Sequence, residues 1–195
     1  MENKNEVYIS VDVEASGPIP GIYSMLSIGA TVVFNTSKTF YAELKPINNN
    51  FVVNALRVAN LSMEELLVKG LDPEEVMASF SEWVKNVSGN ARPVFVSFGN
   101  FDWMYTKWYL ERFGYGNLFG INGIDIKSYY MGMNNTRWSD TTKARMPADL
   151  KPEVEHTHNA LQDAVEQAKL FENMLRTNHD RHPQQQGLRT KLKRC

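Results

Sequence analysis

The sequence predicts a single α/β domain with a mixed central sheet of five strands. Three observations carry that expectation: β-rich runs open the chain, a strongly capped amphipathic helix follows, and strand-like and helix-like segments then alternate to the end. An early hairpin beside that later alternation makes the sheet mixed rather than all-parallel. At 195 residues the chain fits one domain with a sizeable core.

Taken in order, residues 6–14 (EVYISVDVE) are rich in β-branched and aromatic residues and predict the first strand. The turn residues Ser16-Gly17-Pro18-Ile19-Pro20-Gly21 end it. Residues 22–34 (IYSMLSIGATVVF) predict a second strand and 39–44 (TFYAEL) a third, with Asn35-Thr36-Ser37-Lys38 as the hairpin loop. Ser62-Met63-Glu64-Glu65 opens a short helix that Gly70 closes. Asp72-Pro73-Glu74-Glu75 is a strong helix start, with Asp at the N-cap, Pro at N1 and Glu at N3. Val76, Phe80, Trp83, Val84 and Val87 follow at helical spacing, up to Gly89. Residues 93–98 (PVFVSF) predict a fourth strand, 103–113 a helix, 121–126 a shorter fifth strand and 133–155 a loop. The last helix spans residues 160–176 and packs through Leu161, Ala164, Val165, Ala168, Phe171 and Leu175. Residues 1–178 form the predicted domain, and 179–195 a basic tail expected to be disordered.

Composition narrows the classes. Apolar residues at 43% and charged residues at 22% exclude a disordered chain. The single cysteine, Cys195, excludes an intramolecular disulfide and is compatible with a reducing compartment. The polar N-terminus and the lack of any long apolar run predict a cytoplasmic protein with no membrane association. Residues 181–195 carry five of the 21 bases and none of the 22 acids, so residues 1–180 hold 16 bases against 22 acids. An acidic body argues against broad electrostatic binding of nucleic acid. It is compatible with an enzyme that meets phosphate through divalent cations at one acidic cleft.

The chemistry concentrates in three segments. Asp12 and Glu14 lie two apart at the end of the first strand, so both carboxylates project from one face while Val11 and Val13 face apolar packing. Adjacent acids repel unless a cation sits between them, and a hard cation such as Mg²⁺ or Mn²⁺ takes oxygen ligands. Asp102 follows the fourth strand between Phe101 and Trp103, placed either as a partly buried acid or as the N-cap of the next helix. Asp163 falls in the first turns of the last helix, with His158 just before that helix.

An Asp-x-Glu strand, a later Phe-Asp after a strand, and His158-Asn159-Ala160-Leu161-Gln162-Asp163-Ala164 on a C-terminal helix resemble the DEDDh 3′→5′ exonucleases. This superfamily includes the proofreading subunit of the bacterial replicative polymerase, ribonuclease T and oligoribonuclease. The resemblance covers residues 7–175. It implies a ribonuclease H-like fold, a five-stranded mixed sheet with helices on both sides, and hydrolysis of phosphodiester bonds at the 3′ end of single-stranded DNA or RNA, releasing nucleoside 5′-monophosphates. By the same carry-over Asp12, Glu14 and Asp163 hold one metal ion, and Asp12 with Asp102, largely through water, supports a second. Two ions can stabilise both the attacking and the leaving oxygens of an in-line displacement. His158 is placed as the general base, since imidazole is a poor ligand for a site selecting Mg²⁺. His156 is a competing histidine two residues earlier, but the motif points to His158.

Similar enzymes place the segment matching Ala15, Ser16 and Gly17 against the terminal nucleotide, and an apolar wedge where Met25 and Leu26 stand. Core packing of the second strand is the competing reading for that pair. Two departures bear on substrate preference: relatives often carry Glu where Ser27 stands, and a His-Asn pair where Ser97-Phe98 stand. The competing functional class is a non-catalytic nucleic-acid-binding module with the same fold, although binding alone does not require four acids and a histidine. A homodimer is among the assemblies open to the chain.

Overall fold

The computed structural model describes residues 5–152 and 157–181. Its strands are β1 (Glu6–Ala15), β2 (Met25–Val32), β3 (Asn35–Glu43), β4 (Arg92–Ser97) and β5 (Ile124–Asp125). They form one five-stranded sheet in the order β3-β2-β1-β4-β5. β1, β2 and β3 pair antiparallel, whereas β4 pairs parallel with both β1 and β5. The helices are α1 (Val53–Ala59), α2 (Met63–Lys69), α3 (Pro73–Ser88), α4 (Phe101–Arg112), α5 (Ile126–Asn134) and α6 (Ala160–Arg181).

The two-residue period of β1 sorts its side chains between two cores. Ile9, Val11, Val13 and Ala15 are buried against α3 and α4, with Val76, Phe80, Tyr105 and Tyr109. On the opposite face Tyr8 meets Phe171 of α6 edge to face at 5.8 Å. There Val96, Ile126, Ala168 and Met174 form the second core under α5 and α6. Burial of each large side chain such as Phe80 or Phe171, both essentially inaccessible, contributes about 1.5–3 kcal/mol. The sheet is therefore covered on both sides, as expected. Among the described residues no helix is long and apolar enough to cross a membrane.

Several boundaries differ from the sequence expectation. The hairpin turns at Val33-Phe34, and residues 35–38 are already strand. Val33 is wholly buried in the α6 core, and its N–H donates to the Tyr8 carbonyl at 2.9 Å. Phe34 then takes a left-handed φ of 70°, so tertiary packing overrides the polar turn signal of Asn35-Thr36-Ser37-Lys38. The helix α1 is unannounced because Val52 at its N-cap makes no side-chain bond and its first turn has no acid. α5 and two short 3₁₀ turns (Trp138–Asp140 and Lys143–Arg145) occupy much of the stretch from β5 to α6. The cap of α5 is Asp125, whose carboxylate accepts from the N–H groups of Lys127 and Ser128. α6 runs through residues 179–181, assigned above to the tail; residues 182–195 lie outside the described residues.

One close approach positions the site. Gly29 of β2 stands opposite Asp12 in the β1–β2 register. The start of α6 rests directly on it: an added Cβ would fall 2.2 Å from the Ala160 carbonyl carbon and 2.3 Å from the Leu161 nitrogen. Only glycine lets the helix carrying Asp163 lie this near the strand carrying Asp12 and Glu14.

Candidate active site

Asp12 and Glu14 project from the α6 face of β1, while Val11 and Val13 are buried on the other. Asp102 sits in the first turn of α4 and is 6% exposed. Asn100, not Asp102, holds the cap position. The Asp102 carboxylate instead accepts the Val13 N–H at 3.1 Å, joining α4 to the strand between Asp12 and Glu14. Asp163 is 1% exposed in the first turn of α6 and accepts the Thr157 N–H at 3.1 Å.

The segment before α6 is shaped by Asn159. Its side chain accepts from the N–H groups of Leu161 and Gln162, each at 3.2 Å, and so caps the helix. His158 precedes it with φ of 54° and is exposed, a left-handed conformation that is uncommon outside glycine and enriched in histidine. One ligand atom each of Glu14, His158 and Asp163 lie within 4.8 Å of one another. His156 lies outside the described residues.

The acids form one electrostatic cluster. Burial pushes the Asp12 carboxyl well above the usual carboxylate range, and the charges of Asp102, Glu14 and Asp163 add to the rise. Glu14 is pushed up to about 8, by burial first and then by Asp163 and Asp102. Asp102 is pushed up to about 7 by burial, with Asp163 adding and the Val13 N–H and Lys143 opposing. Crowded, buried carboxylates such as Asp12, Glu14 and Asp102 resist ionising together unless positive charge enters. An all-oxygen, hard donor set held on three rigid elements fits a divalent cation such as Mg²⁺ or Mn²⁺.

Two supporting residues escape the sequence reading. Gln167, one turn beyond Asp163 on α6, donates through Nε2 to Asp12 and accepts the Phe98 N–H at 3.0 Å through Oε1. Its i+4 spacing from Asp163 was the available signal. Lys143 pairs with Glu166 at 2.5 Å and is a cation acting on both Asp12 and Asp102. It lies in the stretch expected to be loop, where nothing local marks it.

Ala15 and Gly17 line a cleft of about 440 Å³ beside Glu14, together with Val52, Val58 and Phe101. Ser16 is buried instead, its hydroxyl donating to the Asn50 carbonyl at 2.8 Å and accepting the Ser24 N–H at 2.9 Å. Met25 and Leu26 are wholly buried, the first in the α3–α4 core and the second against Met63 and Leu66. The structure thus places this pair in core packing rather than on the cleft wall. Exposed apolar surface there comes from Val52, Val58 and Phe101, at 38, 40 and 40%, of which the first two flank or sit on the unannounced α1. Ser27, where relatives often carry Glu, pairs with Glu14 on one side and Glu43 on the other.

The sheet order and the helices on both faces define a ribonuclease H-like fold. No protein-family model matches the chain. It is 46% identical over 173 residues to the 3′–5′ DNA exonuclease Cap18 of Escherichia coli, covering 88% of this chain and 92% of that protein. The nuclease domain of 3′hExo, a DEDDh family member bound to rAMP, superposes with a TM-score of 0.72 at 16% identity, over 91% of this chain and 95% of that one. Exonuclease I of E. coli in complex with a dT13 oligonucleotide gives a TM-score of 0.68 at 14% identity, over 91% of this chain and 42% of that one. The chain belongs to the DEDDh family of 3′→5′ exonucleases.

Proposed function

We propose that this exonuclease is metal-dependent, acts on the 3′ end of single-stranded DNA, and releases nucleoside 5′-monophosphates with His158 as general base. The observation that carries the reading is the convergence of His158 with Glu14 and Asp163, ligand atoms within 4.8 Å, beside Asp12 and Asp102, in a cluster where burial and neighbouring carboxylates raise Asp12, Glu14 and Asp102. Asp12, Glu14 and Asp163 would hold one Mg²⁺ or Mn²⁺ ion, and Asp12 with Asp102 a second. When bound, the ions supply Lewis-acid stabilisation of the attacking and leaving oxygens.

The chain's own groups do the rest. His158, exposed at the mouth of the cluster, takes the proton of the attacking water on its imidazole. Gln167 holds the Asp12 carboxylate in place through its amide donor. Gly29 keeps α6 close enough for Asp163 to share the site with β1. The apolar cleft beside Ala15 and Gly17 suits a terminal nucleoside, whose base would lie against Phe101 and Val52 without sequence preference. DNA is the proposed polymer because the 46%-identical relative is a DNA exonuclease. The homodimer weighed above has no support in the comparisons and forms no part of the proposal.

The test is degradation of 5′-labelled single-stranded DNA and RNA in Mg²⁺, Mn²⁺ or chelator. The expected result is a one-nucleotide ladder from the 3′ end, 5′-monophosphate products, faster loss of DNA than RNA, and no activity in chelator. Internal cleavage, or undiminished activity in chelator, contradicts the proposal; faster loss of RNA reverses the choice of polymer alone.

A further inference from the structure

We infer that Lys127, Arg137 and Trp138, on the face reached from the catalytic acids through Phe98, form a track for the strand on the 5′ side of the scissile phosphate. The inference rests on the proposed action at a 3′ end.

Phe98 is the hinge of the arrangement. Its N–H bonds Gln167, which in turn bonds Asp12, so its backbone is tied to the acid cluster. Its ring takes two ammonium groups, Lys143 at 5.1 Å and Lys127 at 5.9 Å from the centroid. Lys127 also lies 4.2 Å from the Trp138 ring centroid, while Trp138 itself stays 53% exposed. Aromatic rings and cations therefore interleave from the acids outward, over a few nucleotide steps at most. Arg137 is exposed beside Trp138, and Arg145 nearby is paired with Asp140 at 3.2 Å.

The chemistry of such a surface selects its ligand. Residues 1–180 hold more acids than bases, so Lys127 and Arg137 are an exception to the body around them, whereas Lys143 and Arg145 are paired with Glu166 and Asp140. Bases for phosphates, alternating with a half-exposed indole for a nucleobase, match the stacking platforms of single-strand binders. The terminal nucleoside has its cleft on the Glu14 side, whereas Lys143 acts on Asp12 and Asp102. The strand would thus cross the acids and leave over Phe98 toward Trp138. Ser97-Phe98, the departure from the usual His-Asn pair, supplies the ring that anchors both lysines.

The test compares a dinucleotide with a single strand of about 12 nucleotides in wild type, Trp138→Ala, Trp138→Phe and Lys127→Ala/Arg137→Ala. Trp138→Ala should raise KM for the longer strand about tenfold or more, with dinucleotide turnover unchanged and Trp138→Phe close to wild type. The double variant should raise KM and make the salt dependence shallower by about one unit per lost phosphate contact. Unchanged KM on the longer strand in both variants, or dinucleotide turnover falling in step, overturns the track. Binding of the labelled strand to Asp12→Asn, with and without Trp138→Ala, separates the two readings. Weaker binding on loss of Trp138 supports the track even where hydrolysis fails, and equal binding removes it.

Discussion

Replacing Asp12 by asparagine should abolish hydrolysis while making the metal-free protein more heat-stable. Asp12 is the acid on which Asp102, Glu14 and Asp163 all press, and burial adds to the cost of its charge. Asparagine keeps an Oδ1 to accept from Gln167 but removes one of the like charges, so the fold without cations gains. In chelator at pH 8 the melting temperature should rise, by roughly 2–4 °C for each kcal/mol of relieved repulsion. A site that loses its ions forfeits several kcal/mol of transition-state stabilisation, and about 1.4 kcal/mol is tenfold in rate. The rate on single-stranded DNA should accordingly fall at least about a thousandfold. Retained activity would remove Asp12 from the machinery, and a lower melting temperature in chelator would show that its charge is already offset.

His158→Gly should lower kcat by about 10²–10⁴ with little change in KM for the strand. Glycine is the fitting replacement because φ at this position is 54°, a conformation that glycine adopts without strain. Helix α6 is capped by Asn159, which this substitution leaves in place. Added imidazole should then restore part of the rate by entering the space left at the mouth of the cluster. Single-turnover cleavage with and without imidazole measures both effects, and an unchanged kcat would disqualify His158 as the base.

The parts of the site that are legible in the sequence are those with a local cause. The two-residue period of β1 puts Asp12 and Glu14 on one face, and the structure agrees because Val11 and Val13 have apolar partners opposite. Asp72-Pro73 announces α3 through a cap that forms as read, with the Asp72 carboxylate accepting from Glu74 and Glu75. What is not legible depends on contacts across the chain. Lys143 reaches the acids only because its turn folds against Phe98 and Glu166. Asp102 gains its place through one bond to Val13, 89 residues away in sequence. Met25 and Leu26 have the same apolar character whether they face a substrate or a core, and only the packing of α2, α3 and α4 assigns them to cores. The glycine of Ser27-Ile28-Gly29-Ala30 looks like an ordinary strand interruption until α6 is laid across it.

If these acids form one divalent-cation site, melting the protein between pH 5 and pH 8 in chelator and in Mg²⁺ will show it. Glu14 and Asp102 are raised to about 8 and about 7, so the folded chain holds protons that the unfolded chain has released. Their contribution to stability therefore falls as pH rises from the ordinary carboxylate range through those values. The Mg²⁺-induced rise in melting temperature should be small at pH 5 and grow to pH 8. With the ion at 100 times its Kd the gain is about 2.7 kcal/mol, or roughly 5–10 °C. The same experiment on Asp12→Asn should lose most of that rise. Identical melting in chelator and in millimolar Mg²⁺ at pH 8 would contradict the site.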